Sequence, residues 1–193
     1  TGRQVSLTNM KYDGFGNISE IIHVNGAKTT YEYSNVTRTL LGSEVFAKQA
    51  GGSSQVSLLD RNYTYNNKGM ISQVQRTMDQ SLTQGNETQQ SFNFTYDALN
   101  RLSSATSTVQ GQQAYSNQMS YNDVGGILNK NSNVTGSQTF AQNANDMTYS
   151  LDYTYNSTKK HQLDQVDDQV TGDIMTFSYN SSGSISEIQK QNN

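Results

Sequence analysis

One short pattern recurs seven times along the chain and restricts what it can fold into. Each copy has an aromatic residue or Met, one polar residue and a Tyr, followed by Asp, Asn or, once, Ser. Three residues after that comes Gly or a substitute in most copies, and Ile or Leu then opens the next segment. The seven anchor tyrosines are Tyr12, Tyr33, Tyr65, Tyr96, Tyr121, Tyr155 and Tyr179. A short unit that returns seven times, at intervals of 21 to 34 residues, predicts a repeat architecture.

Each copy is typical of one β-hairpin. Before the anchor, apolar residues alternate with polar ones, as in Phe92, Phe94 and Tyr96, which is the signal of a half-buried strand. The Asp or Asn after the anchor can hydrogen-bond its own downstream backbone and start a turn. This spacing suits a type I turn that closes into a hairpin with a bulge. The turn positions that need a residue tolerant of positive φ are Gly16, Gly69, Asn100, Gly125 and Gly183.

The predicted fold is therefore all-β: one array of about seven hairpins over 1–193, forming a curved or spiralling antiparallel sheet with polar loops such as 51–54. About 14 strands at ~4.8 Å give a sheet ~67 Å wide, or ~21 Å across if it closed on itself. A 100-residue domain is ~34 Å across. A ring of that diameter could not hold such a domain, so we expect either a strip of a larger assembly or a curved open sheet that covers something, in both cases with unpaired edges that are open to self-association.

Composition narrows the function classes. Asn 21, Gln 20, Ser 24 and Thr 20 make 85 of the 193 residues, and Lys plus Arg number 13 against 16 acids. No basic field is available for nucleic acid, and no apolar run approaches the ~20 residues of a membrane span. There is no Cys and there are two His. The expectation is no enzyme, no catalytic residue, no cofactor and no metal.

The residues also carry a family resemblance. FTYDALNRLSSAT at 94–106 and KKHQLDQV at 159–166 resemble the YD repeat of the Rhs family, which includes wall-associated proteins, Tc-toxin C components and teneurins. The resemblance implies hairpins wound into a spiral sheet that forms a hollow shell. In the bacterial toxins of that family, the shell encloses a C-terminal toxic domain. The implied partners are flanking repeats, other shell subunits and the enclosed domain, and the implied location is secreted or at the bacterial cell surface. The chain has no Pro, so the Pro-containing self-cleavage motif of cargo-bearing members is absent.

Few residues offer chemistry outside the repeat. His161 is predicted in a turn and His23 on a strand surface, and an acidic group from Asp164 to Asp173 is predicted to be a solvated loop rather than a Ca²⁺ site. The tyrosine ladder has two interpretations: packing between hairpins, or an exposed face that holds sugars or a peptide. The alternative function is accordingly a cell-surface binding or adhesion module that contacts carbohydrate or a partner protein.

Overall fold

The structure is a computed structural model that describes residues 7–48, 55–79, 88–135 and 147–192. Each strand is hydrogen-bonded to the next in chain order, and the pairs from β1 to β6 and from β9 to β14 are antiparallel. The prediction of an all-β chain of tandem antiparallel hairpins is confirmed, whereas the predicted loop at 51–54 lies outside the described residues. The fourteen strands in this part of the chain are β1 (Leu7–Tyr12), β2 (Ile18–His23), β3 (Lys28–Tyr33), β4 (Leu40–Lys48), β5 (Gln55–Tyr65), β6 (Ile71–Met78), β7 (Thr88–Tyr96), β8 (Leu102–Val109), β9 (Gln112–Tyr121), β10 (Ile127–Val134), β11 (Tyr149–Tyr155), β12 (Leu163–Asp168), β13 (Ile174–Tyr179) and β14 (Ile185–Gln191).

The chain divides into two compact units. The first runs to Phe92 and includes Val109–Gly111, and the second comprises Asn93–Thr108 and the chain from Gln112 onward. Strands β1 to β6 belong wholly to the first unit and β9 to β14 to the second. The assignment of all 193 residues to one repeat array stays a prediction.

The turn after each anchor tyrosine is held by the side chain that follows the tyrosine. Asp13 Oδ1 accepts hydrogen bonds from the backbone N–H groups of Phe15 at 2.8 Å and Asn17 at 2.9 Å. Gly16 donates its N–H to the Asp13 carbonyl at 3.2 Å and has a φ of 86°. The same double acceptance occurs at Asn66, Asp97, Asn122 and Asn180, and positive φ recurs at Gly69, Asn100, Gly125 and Gly183.

One copy closes its hairpin with a turn that is one residue longer. At 34–39 the hydroxyl of Ser34 accepts from the N–H groups of Val36 at 3.2 Å and Thr37 at 3.1 Å. Arg38 donates its N–H to the Ser34 carbonyl at 3.0 Å and takes the positive φ, 62°. The degenerate copy thus still forms a hairpin, because a short side-chain oxygen can replace that of Asp or Asn.

A one-residue bulge follows each of these turns. Tyr12 lies opposite Ile18, whereas Lys11 lies opposite Glu20, so Ser19 has no cross-strand partner. Five further pairs, β3–β4, β5–β6, β9–β10, β11–β12 and β13–β14, have the same shift at the same place. A bulged residue leaves the first and fourth residues of the strand on one face, which explains the three-residue spacing of aliphatics in these strands.

The connections that follow odd-numbered strands differ from those that follow even-numbered strands. Where odd-numbered strands end, five of the seven connections have the same length, as at 13–17 and 122–126. Where even-numbered strands end, the connections vary from the tight turn at 110–111 to the long segment at 135–148. The unequal sequence spacing of the anchor tyrosines therefore comes mainly from the connections that follow even-numbered strands.

Few side chains in the described residues are removed from solvent. In the described ranges, Val109 and Val166 are the buried hydrophobic residues, at 6% and 3% exposure. Stability in such a sheet comes mainly from contacts between neighbouring strands rather than from a shared core. In the part of the chain that the structure describes, no helix is long and apolar enough to span a bilayer.

Candidate functional site: the apolar face of the sheet

The strand register sorts side chains onto two chemically distinct faces in the first unit. One row of directly paired residues runs Met10, Ile21, Thr29, Val45, Leu59 and Met78 across β1 to β6. The neighbouring rows on this face contain Tyr31, Ser43, Arg61 and Arg76, and then Tyr63 and Val74. These three rows define the apolar face, and their residues are half-buried except for Ser43, which is buried.

The opposite side, the polar face, carries the carboxylates. Glu20, Glu44 and Asp60 lie in one row with Thr30, and Glu32 lies in the next row. Glu20 pairs with Lys11 at 2.6 Å and lies 3.9 Å from Lys28. The lysine ion pairs hold the pKa of Glu20 below its usual range, chiefly through the hydrogen bond from Lys11.

A shallow groove of about 190 Å³ lies on the polar face. Glu32, Glu44 and Asp60 line it together with Asn62 and Gly42. Within the described ranges, no group of three His, Cys, Asp or Glu side chains is close enough to hold a metal ion. The groove is therefore an acidic surface without a metal-binding set.

Anchor tyrosines connect successive hairpins through their hydroxyl groups. Tyr65 donates to the carbonyl of Leu40 at 2.6 Å, and Tyr121 donates to the carbonyl of Leu102 at 2.7 Å. In each case the acceptor is the first residue of the second strand in the preceding hairpin. We name this contact the tyrosine latch: an anchor tyrosine bonded to the backbone of the aliphatic residue that opens the preceding even-numbered strand.

Two more latches occur in the second unit. The hydroxyl of Tyr179 donates to the carbonyl of Leu163 and accepts from its N–H, both at 3.0 Å. Tyr155 hydrogen-bonds the backbone of Ile127. Burial raises the pKa of Tyr65, so its phenol stays neutral and able to donate to the Leu40 carbonyl. Burial also raises the pKa of Tyr155, while the hydrogen bond with the Ile127 backbone lowers it to a smaller extent.

The anchors also pair across their own hairpins. Each of six anchors lies directly opposite the aliphatic residue that opens the next strand, as Tyr12 does opposite Ile18. Such aromatic–aliphatic pairs are worth ~0.2–1 kcal/mol. Six of the seven anchors are half-buried, whereas Tyr12 is 59% exposed and its hydroxyl lies 3.0 Å from Met10 Sδ. The ladder is therefore a packing element that leaves part of each ring accessible.

Two arginines face each other within the apolar face. Arg61 on β5 lies directly opposite Arg76 on β6. Arg76 donates from Nη2 to Gln90 Oε1, and its guanidinium carbon lies 5.8 Å from the ring centroid of Phe92. Its Nε is buried and finds no hydrogen-bond acceptor among the residues that the structure describes. Burial, and then the charge of Arg61, lower the pKa of Arg76.

The second unit also places a cation among aromatic rings. Lys130 lies in a row between Met119 and Leu151, and its Nζ lies 5.1 Å from the ring centroid of Tyr149. The pKa of Lys130 is raised, chiefly by its hydrogen bond to Tyr149. A lysine in this position remains charged through the physiological pH range.

The remaining predicted residues have simple placements. His161 lies in the turn between β11 and β12, and His23 ends β2. The prediction of a solvated loop for the acidic group was wrong, because Asp164, Asp167 and Asp168 lie on β12. Asp164 is the bulged residue of its strand and lies 3.4 Å from Asn156 Nδ2, so the strand accommodates it without burying its charge.

Sequence reasoning missed the arginine pair, although a signal was present. Arg61 alternates with Tyr63 and Tyr65, and Arg76 is two residues from both Val74 and Met78. Period-two alternation alone places both arginines on the side of the aromatic and aliphatic residues. Their direct opposition required the register of β5 against β6.

Comparisons with known proteins give a similarity of fold only. No family model and no curated protein matches the chain. Among solved structures, it is similar to TcdB2–TccC3–Cdc42, with 10% identity over 95% of this chain and 11% of that one and a TM-score of 0.39. A structure of TcdB2–TccC3 gives 11% identity over 95% and 12% of the two chains at the same TM-score.

A porin-like protein from Bacteroides uniformis is also similar, with 10% identity over 94% of this chain and 79% of that one and a TM-score of 0.39. The chain thus spans about a ninth of the TcdB2–TccC3 chains.

Proposed function

We propose that the chain is a non-catalytic structural strip of a YD-repeat wall, and that this wall encloses a toxic domain of a secreted or cell-surface bacterial protein. The apolar face is the side that meets the contents. Flanking repeats or further shell subunits complete the enclosure. The residues that serve this role are the anchor tyrosines and the turn residues, which hold each hairpin to the next.

The observation that carries the proposal is the open apolar face. Tyr31, Val45, Leu59 and Val74 lie on one side of the sheet and are only half-buried. Apolar area left in water forgoes roughly 25 cal/mol per Å². A sheet that keeps such a face uncovered is suited to line an interior or to receive another surface. Together with the repeat resemblance, this favours a wall.

The test uses the native gene product that contains this chain. We expect an intact mass well above the 21.4 kDa of the chain itself. Under limited proteolysis we expect a protected segment that stays associated until the sheet is unfolded. The control is the same digestion after denaturation, which should release and degrade that segment. A native mass no larger than that of this chain would contradict the wall, since so few strands are too small to enclose a folded domain.

A binding module is the second candidate. The observation in its favour is that half-buried aromatic rings, including Tyr31 and Tyr63, share the open face with two guanidinium groups. Iodide quenching of tyrosine fluorescence separates the two roles, and it can be read on this chain because the chain has no Trp. Quenching of most tyrosines favours the binding module, and protection of the ladder favours the wall.

A further inference from the structure

We propose that Arg61 and Arg76 form a carboxylate-binding site on the apolar face, and that its ligand is an acidic side chain of a protein segment that lies against this face. The site goes beyond the proposed wall. It requires only that the face meets a protein, whether an enclosed domain or a partner at the surface.

The first argument is the unfavourable pairing of the two arginines. Directly opposite residues in an antiparallel pair hold their Cβ atoms about 4.5–5.5 Å apart, and like charges in that position destabilise a sheet. Among the described residues, neither Arg61 nor Arg76 has a carboxylate within ion-pair distance, whereas Lys11, Arg101 and Lys190 each do. A bound anion would remove the repulsion between the two guanidinium groups.

The second argument is that the Arg76 side chain is held in place with donors to spare. Gln90, which is 7% exposed, accepts from Nη2, and the ring of Phe92 lies beneath the guanidinium. The Nε–H is buried, and no described residue accepts a hydrogen bond from it. A guanidinium is a planar fork that binds carboxylates through two parallel hydrogen bonds. Two facing forks of this kind suit one carboxylate that bridges them.

The surroundings select the kind of anion. Leu59 and Met78 form the row on one side of the arginines, and Tyr63 and Val74 form the row on the other. Charged hydrogen bonds are strengthened where water is displaced, and a peptide with apolar residues beside its carboxylate displaces water as it binds. A strongly hydrated inorganic phosphate lacks that apolar contribution. The observations therefore favour Asp or Glu flanked by apolar residues.

The experiment follows the side-chain Nε–Hε signals of arginine by NMR in the full ¹⁵N-labelled chain. The probe is N-acetyl-Leu-Asp-Phe-amide, and the matched control is the same peptide with Asn in place of Asp. Inorganic phosphate is titrated separately. We expect the Asp peptide to shift the signals of Arg61 and Arg76 in a saturable manner and the Asn peptide to leave them unchanged.

Substitutions give a second measurement. Arg61→Gln and Arg76→Gln should each weaken peptide binding at least tenfold. Arg38→Gln is the control, because the guanidinium of Arg38 also lies over an aromatic ring, Phe15, at 3.0 Å. It should leave binding unchanged. If a variant fails to fold, the titration of the unsubstituted chain still decides.

Three results would overturn the proposal. Equal responses to the Asp and Asn peptides, or none, would mean that the site does not read a carboxylate. Binding of phosphate without binding of the peptide would mean a general anion site. A change in the Arg76 signal on substituting Glu87→Gln, a residue outside the described ranges, would mean that the chain supplies its own partner. None of these results depends on the native mass or on enclosure.

Discussion

The tyrosine latch makes a quantitative prediction at Tyr121. Substituting Tyr121→Phe removes a hydroxyl that donates to the Leu102 carbonyl at 2.7 Å but keeps the ring, which lies 4.4 Å from the guanidinium of Arg101. The net worth of such a hydrogen bond is about 0.5–1.5 kcal/mol. We expect a loss of free energy of unfolding in that range, because the substitution removes one neutral hydrogen bond between two half-buried residues.

Thermal unfolding followed by circular dichroism measures the effect. For a chain of this length, 1 kcal/mol lowers Tm by about 2–4 °C, so the expected decrease is about 1–6 °C. The matched control is Tyr12→Phe, which removes the hydroxyl of an exposed residue that contacts Met10 Sδ and no backbone carbonyl among the described residues. Tyr12→Phe should change Tm by less than the smallest latch effect. Equal Tm values for Tyr121→Phe, Tyr12→Phe and the unsubstituted chain would refute the latch as a stabilising contact.

Three further predictions concern the turns. Gly69→Val should lower the free energy of unfolding by at least ~1–2 kcal/mol, since the φ of Gly69 is 77°. Gly14 is also surrounded by open space but has no positive φ, so Gly14→Val should lower it by less. Similar urea midpoints for the two variants would contradict this. The N–H of Arg101, more than its side chain, lowers the pKa of Asp97. The stabilisation of the fold by ionised Asp97 is therefore fully present above the pKa of the unfolded state and is lost as pH falls through the lower pKa of the folded state. In thermal melts recorded across pH, Asp97→Asn should flatten the decrease of Tm at acid pH. Asn122→Ala should lower the free energy of unfolding by ~0.5–1.5 kcal/mol in denaturant unfolding, while Asn122→Asp should leave it nearly unchanged. If either expectation fails, the side-chain oxygen is not what holds the turn.

Local chemistry explains why the hairpins could be predicted from the sequence. Alternation before Tyr96, the carboxylate of Asp97 and the positive φ of Asn100 are all decided within a few residues. The three-residue spacing from Ile18 to Ile21 is a consequence of the bulge, but it can be recognised as one only from the strand register.

Contacts between hairpins could not be predicted in the same way. The hydroxyl of Tyr121 donates to the carbonyl of Leu102 in the preceding hairpin, and Arg76 on β6 donates to Gln90 on β7. The connections that follow even-numbered strands differ in length, so sequence spacing does not reveal such contacts. The acidic group of β12 was misassigned because three carboxylates suggest a loop, yet a strand with one open face and one bulge can hold them. Pairing between strands, rather than local preference, decided these positions.

The latches have a direction that bears on how such a chain is made and lengthened. Each one runs from an anchor tyrosine back to the hairpin before it, as from Tyr65 to Leu40 and from Tyr179 to Leu163. During synthesis from the N-terminus, a hairpin held by a latch is therefore fastened only when its successor emerges. A gene that gains or loses one whole latched hairpin preserves this order, since the next tyrosine again finds the backbone of an aliphatic residue behind it. The length of the sheet can then change in steps of two strands without redesign of the remaining joints.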